Sequence, residues 1–112
     1  MKLKVLAVSL LAFFAIGSAA EARSYYMTIN QAKRETVSYA REGCEEIAEC
    51  TGYGVGHCAR RSASGVSCTA ARFYPGAYEG EEIECNTRLH WGVDRRGVIV
   101  LKNTGEPYCF SL

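Results

Sequence analysis

Six cysteines, Cys44, Cys50, Cys58, Cys68, Cys85 and Cys109, lie in the last two thirds of a 112-residue chain. An even count in a short, exported chain reads as a disulfide framework. Each bridge contributes roughly 2–4 kcal/mol, mainly by restricting the unfolded chain. Six cysteines allow 15 connectivities, and their order alone selects none. The competing use is a metal site. Structural zinc sites pair close ligands, as in C-x₂₋₄-C. Here the closest spacings are Cys44 to Cys50 and Cys50 to Cys58. His57 adjoins Cys58, but neighbouring residues of a strand face opposite ways. The six cysteines are therefore expected in disulfides, with no metal ligand and no cofactor.

The destination follows from the first residues. Lys2 and Lys4 precede an apolar stretch from Val5 to Gly17. Its 13 residues fall short of the roughly 20 that span a bilayer, which argues against an uncleaved anchor. Ala20-Glu21-Ala22 fits an A-x-A cleavage site, and Ser18-Ala19-Ala20 is a second option. Residues 1–22 are expected to be a cleaved signal peptide, and residues 23–112 one small domain. The product is expected to be secreted or periplasmic, without further membrane attachment.

Removing the leader takes Lys2, Lys4 and Glu21 from 13 basic and 12 acidic residues, leaving 11 of each. A nucleic-acid partner normally demands a basic excess, because phosphate contacts dominate affinity. The balance shows none, so nucleic acid is not the expected partner. The 90 residues left from 112 bury a limited core, which is why the staples matter.

A helix opens the domain. Thr28 with Gln31 forms a capping-box pattern, and Met27 is placed to staple onto Ala32. Ile29, Ala32, Val37, Ala40, Cys44 and Ile47 recur at helical spacing. Gly43 weakens the middle by up to about 1 kcal/mol relative to Ala. Gly52 suits a C′ position. Glu45, Glu46 and Glu49 oppose the helix dipole, so an earlier stop near Gly43 is the alternative.

Strand patterns follow: "YGVGHCARR", "VSCTAARFY", "EIECNTRLHW" and "VIVLK". The third is clearest. Ile83, Cys85, Thr87, Leu89 and Trp91 share one face; Glu82, Glu84, Asn86, Arg88 and His90 share the other. "SASG" and Pro75-Gly76 mark turns. Asp94-Arg95-Arg96-Gly97 fits a type I turn closed by a glycine bulge. "NTGEPYCFSL" reads as loop and tail, tied down by Cys109. The expected fold class is α+β: one N-terminal helix packed on a four-stranded antiparallel meander, stapled by disulfides. In a continuous helix, Cys44 and Cys50 would stand about 9 Å apart at Cα, from the rise of about 1.5 Å per residue. A bridge needs under about 7 Å. A Cys44–Cys50 bond would require the helix to end first, and Cys44 is expected to join the sheet instead.

Gly52, Gly54 and Gly56 give G-x-G-x-G, not the G-x-G-x-x-G of a dinucleotide loop. They follow a helix and enter a strand, the reverse of that motif's context. No Lys-Ser or Lys-Thr follows, so they form no P-loop. Gly54 and Gly56 share a phase with Cys58 and are expected to leave room for a closely packed helix or disulfide. No G-x-S-x-G elbow occurs. Tyr74 and Tyr78 flank the Pro-Gly turn, a placement that suits protein recognition.

"FYPGAYEG", from Phe73, resembles the Y-P-x-x-Y segment of small secreted guanyl-specific ribonucleases. "GVIVLKNTG", from Gly97, is similar to their late strand. Together they cover less than a fifth of the mature chain. The resemblance implies a secreted hydrolase acting on RNA. The family's catalytic His immediately before Thr-Gly is replaced here by Asn103. An acid–base group would then have to come from His90, with Glu84 and Arg88 in the same strand phase. The main expectation is a non-catalytic binding, inhibitor or envelope-interaction module of unknown partner, with an extracellular protein as the candidate. The hydrolase is the alternative.

Overall fold

The structure, a computed structural model, describes residues 26–112. The expected signal peptide lies outside the described residues. One helix, α1 (Ile29–Glu45), precedes five strands: β1 (Gly52–Ser62), β2 (Gly65–Pro75), β3 (Glu82–Val93), β4 (Ile99–Thr104) and β5 (Tyr108–Ser111). All pairings are antiparallel, in the order β1-β2-β3-β4, with β5 also on β3. This is the expected α+β meander with one strand more. β2 lies on the other edge of β3, so β4 and β5 run end to end along one edge. Pro107, which has no N–H to donate, falls in the gap between them. Gly105 N–H bridges that gap to Arg88 O at 2.7 Å. The tail expected as loop is therefore a strand, held by the Cys85–Cys109 bond.

The helix starts as its sequence dictates. Thr28 Oγ1 accepts from Gln31 N–H at 3.0 Å, and Gln31 Oε1 accepts from Thr28 N–H at 2.8 Å. Each residue thus satisfies an amide the helix leaves unpaired. Met27 and Ala32 are both buried in the core. The end differs from the longer expectation. The helix stops at Glu45, just past Gly43, with Glu46 as its cap. Ending there brings Cys44 and Cys50 to 5.2 Å at Cα, and they bond to each other. The expectation that Cys44 joins the sheet is thereby corrected. The reason is the acidic run, which opposes continuation of the helix.

Gly43 has a packing role. A Cβ there would overlap the Arg72 guanidinium. Arg72 rises from β2 across this gap and donates to Tyr39 O and Ala40 O at 3.1 and 3.2 Å. It also stacks over the Tyr39 ring. Arg72 thus ties β2 to the C-terminal half of the helix.

The core lies between α1 and one face of the sheet. Met27, Ala32, Ala40, Val66, Cys68, Ala70, Leu89 and Trp91 form one buried cluster. Thr36 is buried among them. Its hydroxyl donates to Ala32 O at 2.7 Å and accepts from Trp91 Nε1–H at 2.8 Å. One threonine thus satisfies the indole that the core buries. The Cys58–Cys68 and Cys85–Cys109 bonds each join residues directly opposite on neighbouring strands. The three bridges close separations of 6, 10 and 24 residues, so the last constrains the unfolded chain most.

At the β3–β4 turn, Gly97 N–H donates to Asp94 O at 3.0 Å and Gly97 has φ 79°, the expected type I turn with a glycine bulge. Asp94 Oδ1 accepts from Arg96 and Val98 N–H at 2.8 and 3.0 Å. The Val98 bond is the leading cause that holds the Asp94 carboxyl below the usual carboxylate range, with Arg96 adding to it.

Candidate functional site on the open sheet face

Strand alternation sends every second residue away from α1. A shift of register between Val55 and Cys58 interrupts that alternation in β1. Val55 and Cys58 both pack toward the core, while Gly54 lines the outer face. The expectation that Gly54 and Gly56 make room beside Cys58 is corrected: a bulge puts Gly54 and Cys58 on opposite faces. Nothing lies within 4 Å of where a Gly54 Cβ would stand. The glycines floor an open groove.

That groove has a volume of about 440 Å³, within the range of ligand sites. Gly54 and Ala71 give a shallow floor, with Phe73, Glu84 and Asn86 beside it and His57 at the rim. The register extends the wall. Phe73 pairs Glu84, which pairs Phe110; Ala71 pairs Asn86, which pairs Tyr108. Glu84 therefore stands between two phenyl residues. Tyr108 and Phe110 sit side by side, with ring centroids 5.8 Å apart, and Tyr108 is 70% exposed. Among the described residues, Asn86 Oδ1 is a buried side-chain acceptor that no donor reaches. Glu84 makes no side-chain hydrogen bond or ion pair among them.

Further along the face, Ser67 Oγ lies 2.6 Å from His90 Nδ1 and accepts from Arg61 Nε–H at 3.2 Å. Arg61 can only donate, so the Ser67 oxygen accepts there and has both its hydrogen and a second lone pair to offer His90 Nδ1. Ser67 is 0% exposed, so its oxygen orients His90 and is closed to a substrate. Arg88 donates to His57 O and Thr69 Oγ1, both at 3.0 Å.

His90, Glu84 and Arg88 thus share a face, as expected, but do not converge. At about 3.3 Å per strand residue, Glu84 and His90 are about 20 Å apart, and Glu84 and Arg88 about 13 Å. Asn103 pairs His90 across β3 and β4. The sequence resemblance around Phe73 falls on the end of β2 and its connection to β3, where Tyr78 is 77% exposed. No group of three or more His, Cys, Asp or Glu able to hold a metal occurs among the described residues. None of their helices is long and apolar enough to cross a membrane.

Charge is sorted along the strands. Glu79, Glu81, Glu82 and Glu84 stand where β2 ends and β3 begins, at the end where Gly52 pairs Phe73 and the chain arrives from Glu45, Glu46 and Glu49. Arg60, Arg61, Arg95 and Arg96 stand at the opposite hairpin ends. A near-neutral chain therefore has an acidic pole and a basic pole, and the groove opens at the acidic one. No protein-family model, curated protein or solved structure matches this chain.

Proposed function

We propose that the protein is a secreted, disulfide-stabilised binding module that engages an extracellular protein through the open face of its sheet. The three bridges fit an oxidising, extracytoplasmic setting. The observation that carries the reading is the groove itself: a glycine-floored recess beside three aromatic residues, a carboxylate without a partner and an acceptor without a donor. Aromatic side chains are enriched where proteins recognise one another. The spread of His90, Glu84 and Arg88 along one strand, with the Ser67 hydroxyl shut in, favours binding over acid–base catalysis, which needs its groups within hydrogen-bond reach of one substrate.

The test is partner capture from the protein's own extracellular medium by crosslinking, with wild type and Gly54→Trp. The first atom of the added side chain meets nothing within 4 Å, and the ring is placed at the floor of the groove. A captured protein that is lost with Gly54→Trp and kept with Lys33→Glu, on the exposed side of the helix, supports the reading. Capture that ignores Gly54→Trp contradicts it. So does RNA cleavage by wild type that His90→Ala abolishes, which would establish the hydrolase instead.

A further inference from the structure

The groove's chemistry specifies more than a surface. Its side chains chiefly offer acceptors. Glu84 carries a charge with no counter-ion, and Asn86 Oδ1 is an acceptor with no donor. A buried acceptor left unpaired retains the cost of its desolvation until a donor arrives. Asn86 lines the groove two residues from Glu84, on the same face of the strand.

The flanks are aromatic. Phe73 and Phe110 stand one strand to either side of Glu84. Strands are about 4.8 Å apart, so the two phenylalanines are separated by about 10 Å at the backbone. That gap suits a flat group lying between rings with its edge toward the carboxylate. Flat, cationic and rich in N–H donors describes a guanidinium, whose fork matches a carboxylate and whose face stacks on aromatic rings. Inside this fold the same chemistry appears twice, with Arg60 4.8 Å from the Tyr26 ring centroid and Arg72 5.1 Å from that of Tyr39. The nearest arginine on this face, Arg88, is held at the far edge of the groove by His57 O and Thr69 Oγ1 and makes no ion pair with Glu84. The surrounding glutamates draw a cation to this pole and repel an anion.

Two other places were weaker. The Ser67–His90–Arg61 cluster satisfies itself around a hydroxyl that solvent does not reach. The hollow beside Gly43 is crossed by Arg72, whose bonds go to the helix.

We propose that Glu84, framed by Phe73 and Phe110 with Asn86 beside it, is a guanidinium site that takes an arginine side chain of the partner protein. This rests on the open face being the binding surface. The probe is N-acetyl-arginine amide, titrated into isotope-labelled protein and read by amide chemical shifts. The expected result is saturable shifts centred on residues 73, 84, 86 and 110, with a Kd on the order of 1 mM. Glu84→Gln, which disturbs no contact of the fold, weakens binding at least tenfold. N-acetyl-lysine amide, lacking the planar fork, binds several-fold more weakly. Absence of saturable shifts overturns the proposal, as does equal binding by Glu84→Gln. Tighter binding of guanosine monophosphate at the same residues also overturns it, and assigns the slot to a nucleobase. The partner-capture experiment separates the two levels. Loss of capture with Gly54→Trp but not with Glu84→Gln leaves the face as the binding surface and removes the guanidinium.

Discussion

The two faces of this sheet are made from the same strands and do opposite things. Toward α1, Val66, Cys68, Leu89 and Trp91 are buried, the indole N–H is matched by Thr36, and two disulfides cross directly between strands. Away from α1, no helix among the described residues covers the sheet. There the residues are Gly54, Asn86, Glu84, Arg88 and His90, with an unpaired acceptor and a free carboxylate among them. A single small domain has little stability to spare. It keeps polar, under-satisfied chemistry on one face because the other face and three bridges hold the fold. The comparison teaches that stability and the proposed recognition are separable by strand parity: a substitution at one position threatens folding, while its neighbour in the chain would threaten only the open face.

The largest effect that tests this separation is in the core. Leu89→Ala is expected to cost 2–5 kcal/mol in denaturant unfolding, from lost burial and the cavity left behind. A cost under 1 kcal/mol would show that the helix face is not the stabilising one. Next comes the Cys85–Cys109 bond. Replacing both residues with Ser is expected to remove roughly 3 kcal/mol and to speed amide exchange in β5 ahead of the other strands. Uniform exchange across the sheet would contradict the view of β5 as a strand held chiefly by its bridge.

Gly43→Ala sharpens the comparison by sign. Helix propensity alone predicts a gain of about 1 kcal/mol. The structure predicts a loss of about 1 kcal/mol, because the methyl group displaces the Arg72 guanidinium from Tyr39 O and Ala40 O. The stability difference between wild type and variant decides it. Gly54→Trp and Glu84→Gln, on the open face, are expected to change stability by no more than about 0.5 kcal/mol. The smallest effect is pH-dependent. The folded state holds the Asp94 carboxyl low, so its contribution is present above the unfolded pKa and is lost as pH falls through the folded one. Below about pH 4, wild type should lose stability slightly faster than Asp94→Asn; identical acid profiles would remove Asp94 from the turn's account.

Much of the fold was legible in the sequence, where one local rule decided an element. The Thr28–Gln31 pair, the alternation from Ile83 to Trp91 and the Asp94–Gly97 turn each carry their own geometry. What escaped depends on a distant partner or on one residue's offset. Cys44 bonds Cys50 only because α1 stops at Glu45. Gly54 faces the groove only because β1 gains a bulge before Cys58, which reverses parity without changing the pattern of residue types. Pro107 and the polar residues around it concealed β5, whose pairing comes from β3. Gly43 looked like a helix defect because Arg72, 29 positions later, is invisible to a local window. The two-pole charge distribution could not be read from a net charge near zero, since it arises when hairpins fold acidic turns to one end and basic turns to the other. Of the candidate site, the shared face of Glu84, Arg88 and His90 was legible. Their separation, and the role of Phe73, Asn86, Tyr108 and Phe110, needed the register.

The most direct test of the separation compares wild type and Gly54→Trp in two assays on the same preparations: unfolding free energy and binding to the captured extracellular partner. The account predicts unfolding free energies within about 0.5 kcal/mol of each other and at least a tenfold loss of binding. Binding that survives the filled groove, or that falls only in step with stability, would contradict it.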